Sequence, residues 1–172
     1  MAPSPFRDPS ALPCLDPLLD THADILEELL SLDETDFPLA PDSLGDRPGP
    51  YDERGWLWYG LCGEGAPEAH RSACPRTAAA CERLPGLVNA GFSRLLPGTH
   101  LEPHRGELQG VLRCHLGLEV PEGDLGLRFG DQTRSWRPGE LLLFDDTLTH
   151  EAWNHALEPR TVLLVTLRAD LP

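Results

Sequence analysis

The amino-acid sequence predicts a mainly β (α+β) fold, a small double-sheet jelly roll or barrel with helices ahead of it. Three observations predict it. From Val88 onward, short apolar runs recur between Gly and Pro turns, the pattern of an antiparallel sandwich or barrel. The run from Val111 to Val120 alternates residue by residue, as a half-buried strand does. Helical spacing is confined to the first half of the chain. At 172 residues the expectation is a single domain (1–172): a loose segment over 1–15, a helical and loop cover over 16–85, and the jelly-roll core over 86–172.

The elements follow in order. Residues 1 to about 13 are rich in proline and predict a loose or lightly docked start. From Asp16 to Leu32 a helix is predicted. Leu18, Leu19, His22, Ile25, Leu26, Leu29 and Leu30 recur at three- and four-residue steps, with Asp24, Glu27 and Glu28 on the other side. Asp16 ahead of Pro17 suits an N-cap with proline at the first helical position. His22 lies on the packed face and reads as structural.

Residues 33–55 hold DRPGPYDERG and read as a long irregular connection. Gly55 to Leu61 (GWLWYGL) is an aromatic strand whose side chains either fill the core or wall a pocket. Residues 63–73 read as a turn-rich link, and Pro75 to Leu84 as a short helix ended by Pro85-Gly86. Strands then follow over 88–96, 111–120, Leu125–Phe129 and Thr133–Trp136, the last two joined by a tight Gly130-Asp131 turn. Glu140–Phe144 and Thr161–Arg168 complete the set.

Composition excludes several functions. The formal net charge is −14, and all 14 basic residues are arginines, with no lysine. An acidic surface repels nucleic acid and anionic membrane, and P-loop and Schiff-base chemistry need the missing lysine. The N-terminus lacks a cationic head followed by an apolar block, so no secretory signal is expected, and no run reaches membrane-spanning length. A cytoplasmic location follows as the expectation. Five cysteines without a CxxC pair read as reduced thiols, although Cys74 and Cys81 could face each other.

The chemistry gathers between Gly91 and Arg160. His104 and His150 each stand at the end of a strand-like run beside a turn, so a jelly roll can bring both to one open mouth. Two imidazoles with open positions suit iron, zinc, copper or nickel. The oxygenase triad commonly adds a carboxylate two residues after the first histidine. Here that residue is Gly106, with Glu107 one step further. Arg113 and His115 share one strand face, and Arg160 opens the last strand. A guanidinium inside such a fold needs a partner. Either a dicarboxylate ligand supplies it, or Asp145, Asp146 or Glu119 does. Zinc hydrolysis is weakly indicated, because no general base stands beside the histidines.

The segments Ser93…Leu96-Pro97-Gly98-Thr99-His100…Pro103-His104…Leu112-Arg113…His115-Leu116-Gly117-Leu118 and Phe144-Asp145-Asp146…His150-Glu151…Trp153…Arg160 resemble the aspartyl/asparaginyl β-hydroxylase family. The likeness also takes in Gly55-Trp56 and Cys74-Pro75-Arg76-Thr77, covering roughly residues 55–170. The resemblance implies a double-stranded β-helix and an iron(II)- and 2-oxoglutarate-dependent dioxygenase, with dioxygen as co-substrate and succinate and carbon dioxide as products.

Carried over by position, the resemblance makes His104 and His150 the metal ligands. It assigns Ser93, Arg113, His115 and Arg160 to 2-oxoglutarate, Arg160 taking the distal carboxylate. Asp146 matches an acid that orients water on the iron, and His100 a structural position. The family's animal enzymes also have glycine where Gly106 stands. Their basic substrate-binding residues correspond to Gly91 and Val111, so an aspartate in an epidermal-growth-factor-like domain is not the expected substrate. The expectation is a free amino acid, peptide, carrier-bound residue or lipid, as in similar bacterial enzymes. The other reading is a catalytically silent jelly-roll module that keeps the pocket as a sensor.

Overall fold

The computed structural model describes residues 4–38, 55–106 and 108–170. In chain order the elements are β1 (Phe6–Arg7), α1 (Asp16–Asp20), α2 (His22–Leu30), β2 (Trp56–Cys62), α3 (Glu68–Ala73), α4 (Pro75–Glu82), β3 (Leu87–Leu95), β4 (Thr99–His104), β5 (Val111–Glu119), β6 (Leu125–Phe129), β7 (Gln132–Arg134), β8 (Leu141–Phe144), β9 (His150–Asn154) and β10 (Arg160–Arg168). They form two antiparallel sheets. The larger runs β1-β8-β5-β10-β3-β2 and the smaller β4-β9-β6-β7. This is the jelly-roll sandwich that the turn-punctuated strands predict.

Side-chain parity divides the larger sheet into two faces. In β10, Leu163, Val165 and Leu167 pack toward the helices, while Val162 and Leu164 pack between the sheets. In β5, Cys114, Leu116 and Leu118 take the helical side, which leaves Arg113 and His115 on the inter-sheet side. The alternation expected for β5 is therefore present, but its polar face is buried too: Arg113 is 7% exposed and His115 8%.

Four expectations are corrected. The N-terminal segment is docked from Ser4 onward rather than loose. Phe6 and Arg7 pair with Phe144 and Leu143, and Asp145 N donates to Pro5 O at 3.0 Å. The larger sheet thus recruits β1 and β2 from outside the 86–172 core. The long helix breaks at Thr21, whose hydroxyl donates to Pro17 O at 2.6 Å and competes for the backbone there. Asp16 is the first helical residue and caps nothing through its side chain. The 63–73 link contains α3, a polar helix too short to show a periodicity. Its His70 ring stacks on Tyr59 with centroids 3.7 Å apart. Residues 39–54, most of the irregular connection, lie outside the described residues. All five cysteines are free.

Glu28 is the fourth correction. Its helical position suggests the solvent side, yet it is 5% exposed. It accepts from Arg76 N (2.9 Å), Thr77 N (2.8 Å) and Thr77 Oγ1 (2.7 Å). The carboxylate thus caps the first turn of α4 from another helix, where the macrodipole favours negative charge. Burial alone would raise its pKa, but the bonds from Thr77 and Arg76 hold it below the ordinary 4.5. A carboxyl with a depressed folded-state pKa contributes stability above its unfolded value and loses it as pH falls through the folded value. Glu28→Ala is expected to cost about 3 kcal/mol at neutral pH. In acid titrations monitored by circular dichroism, that difference should shrink steadily below pH ~4.5. A cost independent of pH across that window would refute the capping role.

Candidate active site

The two histidines come from one ladder. β4 ends at His104, β9 begins at His150, and the two are direct cross-strand partners. Neither strand is apparent from periodicity, because Pro103 interrupts one and both alternate poorly. The ring centroids are 4.3 Å apart. Nδ1 of His104 lies 2.6 Å from Glu102 O, and Nδ1 of His150 2.8 Å from Leu148 O. A carbonyl only accepts, so each Nδ1 carries the proton and each Nε2 is the unprotonated nitrogen. Burial pushes both pKa values down, that of His150 to about 4 with help from His104. The site presents two neutral imidazoles, the form that binds a metal.

The facing sheet supplies the cations. Arg113, His115 and Arg160 line the same inter-sheet cavity as His104 and His150, together with Ser93, Trp56, Trp136 and Asp146. Arg113 Nε donates to Asp146 Oδ2 at 2.6 Å, one of the internal pairings weighed above. Glu119 is taken instead by Arg94, at 2.9 Å. Arg160 differs. It is 2% exposed, and its Nε and Nη1 have no hydrogen-bond partner among the described residues. Its guanidinium stacks over Trp136, 4.4 Å from the ring centre, and burial lowers its pKa to about 9. A buried cation with idle donors is costly unless a ligand anion completes it.

Two tryptophans, one offered by the sequence only as a pocket wall and the other missed, set the proton pattern of the site. Trp136 Nε1 donates to His115 Nδ1 at 3.0 Å, so the His115 proton sits on Nε2 and can be donated. Burial, then Arg160 and Arg113, drive the His115 pKa well below its usual value, so the ring is neutral. Trp56 Nε1 donates to Ser93 Oγ at 3.0 Å, which leaves the Ser93 hydroxyl proton for another acceptor. The aromatic-wall reading of GWLWYGL holds for Trp56. Trp136 reads in the sequence as the end of the strand from Thr133, but β7 ends at Arg134, and Trp136 lies beyond it where no strand parity points a side chain inward.

Gly106 explains the missing carboxylate. A Cβ at this position would sit inside the Asp146 carboxylate, and Gly106 N donates to Asp146 O at 2.7 Å. The space a third protein ligand needs is filled by Asp146, whose Oδ1 has no described partner. Glu107 lies outside the described residues. Among the described residues no cluster of three or more His, Cys, Asp or Glu side chains is arranged to hold a metal, and the cavity brings together the pair His104 and His150. Gly91 is closed in a similar way: its Cβ would meet Tyr59 O at 2.5 Å and Trp58 Cζ2 at 2.8 Å. No basic side chain fits there. His22 and His100 are used structurally, bonding Gly117 O at 3.1 Å and Glu151 Oε2 at 2.7 Å.

Comparison with known proteins gives a consistent picture. The profile of the aspartyl/asparaginyl β-hydroxylase family matches residues 20–169. An ornithine lipid ester-linked acyl 2-hydroxylase from Rhizobium tropici is 43% identical over 143 residues, covering 81% of this chain and 50% of that protein. The human aspartyl/asparaginyl β-hydroxylase is 33% identical over 118 residues, covering 64% of this chain and 15% of that protein. The chain therefore spans half or less of the length of these relatives. In fold, it is similar to a prolyl hydroxylase from Trichoplax adhaerens solved with a hypoxia inducible factor peptide. The TM-score is 0.57 at 17% identity, over 88% of this chain and 79% of that one. Among the described residues no helix is long and apolar enough to cross a membrane.

Proposed function

Because the chain belongs to the aspartyl/asparaginyl β-hydroxylase family, we propose that it is an iron(II)- and 2-oxoglutarate-dependent dioxygenase that hydroxylates a carbon of an amino-acid or peptidyl residue. The Rhizobium relative, named for an acyl chain, extends the substrate class to acyl groups. One observation carries the reading. Arg160, whose Nε and Nη1 are buried with no partner among the described residues, shares a cavity with two neutral imidazoles, which is the pair of demands that a metal-bound dicarboxylate meets.

Iron(II) with 2-oxoglutarate and dioxygen supplies oxidising power, giving succinate and carbon dioxide as one oxygen atom enters a C–H bond. The protein's part is to bind, orient and exclude water. Nε2 of His104 and of His150 would hold the metal. Arg160 grips the distal carboxylate of 2-oxoglutarate, while the wall of Trp136 keeps the pair dry and strong. The Ser93 hydroxyl and the His115 Nε2 proton are available to the same ligand. Arg113 fixes Asp146 through its Nε and keeps its terminal nitrogens for the chelating end. Asp146 Oδ1 is placed to accept from a water beside the metal.

His104→Ala and His150→Ala are each expected to lower succinate formation by more than about two orders of magnitude under excess iron(II). The melting temperature of the metal-free protein should stay near that of the parent. Substrate-coupled turnover retained in both variants would end the proposal. A silent sensor would bind 2-oxoglutarate yet form no succinate even in the parent protein.

A further inference from the structure

The loops that follow His104 and precede His150 are stitched together. Gly106 N donates to Asp146 O at 2.7 Å, and Arg105 Nε donates to Thr149 Oγ1 at 2.8 Å. Two features of this stitched rim are unusual for so acidic a chain. Arg105 is exposed, no described carboxylate pairs with it, and its Nε bond fixes the plane of the guanidinium. The two terminal nitrogens then form a pre-oriented fork for an anion, with little rotamer freedom left to lose. The rim is also apolar where loops are ordinarily polar. Leu108, two residues past Gly106, is 42% exposed, and Leu148, two residues past Asp146, is 43% exposed. Isolated surface leucines mean little. These two stand in equivalent places on the paired loops that carry the imidazoles, and Leu148 also supplies the carbonyl that orients His150.

We infer that Arg105, Leu108 and Leu148 form a substrate collar that takes an acidic amphiphile, with Arg105 holding a carboxylate or phosphate and the two leucines covering an aliphatic chain. The inference rests on the dioxygenase reading only in treating this cavity as the active one. It assigns to Arg105 the anion recognition that Gly91 and Val111 cannot give. Gly91 has no room for a side chain, and Val111 is a buried apolar residue at the start of β5. In a chain of net charge −14 a rim cation with no carboxylate partner among the described residues also steers an anion to this one place. A peptide would instead be expected to need main-chain partners beyond the rim.

Binding of N-lauroylglycine, N-lauroylglycinamide and N-acetylglycine is measured by calorimetry on the Mn(II)-loaded protein, with and without 2-oxoglutarate. The acid should bind about five- to tenfold more tightly than its amide, and at least about tenfold more tightly than the acetyl compound. Arg105→Gln should erase the preference for acid over amide and keep the preference for chain length. Leu108→Ser/Leu148→Ser should do the reverse. Equal binding of acid and amide by the parent protein, or an acid preference that survives Arg105→Gln, overturns the collar. So does an acidic tripeptide that binds as tightly as N-lauroylglycine in the parent. Thermal stabilisation by 2-oxoglutarate is read separately on the parent protein. Its absence alongside the expected acyl preferences would sink the dioxygenase reading and leave the collar standing.

Discussion

Arg160→Met is expected to abolish 2-oxoglutarate binding and, at the same time, to raise the melting temperature of the ligand-free protein. Most core substitutions destabilise, so the sign is the informative part. Arg160 is among the largest fully buried side chains, and two of its nitrogens lack partners among the described residues. An unpaired buried cation costs several kcal/mol against an apolar side chain of similar length. The face of Trp136 offsets only about 1–2 of these, and methionine keeps that contact. A gain of about 1–3 kcal/mol is expected, roughly 2–4 °C for each kcal/mol in a chain of this size.

The ligand response should move the opposite way. A ligand at a hundred times its dissociation constant stabilises the parent by about 2.7 kcal/mol, and Arg160→Met should show none of it. Scanning fluorimetry with and without 2-oxoglutarate reads both effects in one experiment. Destabilisation by the substitution, or a surviving response to the ligand, would remove Arg160 from the ligand site.

The second large effect is expected at Gly106. Gly106→Asp should not complete a three-ligand site, although it puts a carboxylate where many oxygenases carry one. Its Cβ would occupy the position of the Asp146 carboxylate. Asp146 must then swing away and release Arg113, leaving two buried charges unpaired. Succinate formation should fall by more than about a hundredfold, and Gly106→Ala should fall nearly as far, since the methyl group alone causes the clash. Gly106→Asp/Asp146→Gly relieves the crowding and should regain metal binding, measured by calorimetry, relative to Gly106→Asp. Parent-like turnover in Gly106→Asp would show that the steric account is wrong.

The larger sheet was legible from local pattern, because β5 and β10 advertise themselves through alternation and a continuous Val/Leu run. Half of the smaller sheet was legible too, since β6 and β7 form the hairpin that the Gly130-Asp131 turn predicts, but its other two strands were not. β4 contains a proline, and β9 (HEAWN) has no apolar period, so their pairing exists only once the sandwich closes. The same division holds in the candidate site. His104, His150 and Arg160 were named by residue type and flanking turns. The Arg113–Asp146 bond spans 33 residues, so no spacing rule could choose it over Asp145 or Glu119. Glu28 misled for a related reason. A helical wheel sees one helix, and the group that buries this carboxylate is the amino end of another, 49 residues on.

His104 and His150 sit across from each other on one ladder of the small sheet, whereas Arg160 rides on the large one. On the proposed dioxygenase reading a diacid joining them would have to bridge the gap, so the spacing between the layers would act as a caliper on chain length. Hydrocarbon lines the cavity from both layers, Leu127 on the small sheet and Leu164 on the large one. Trimming or thickening those two residues would retune which homologue of the diacid is gripped, with every polar contact left as it is.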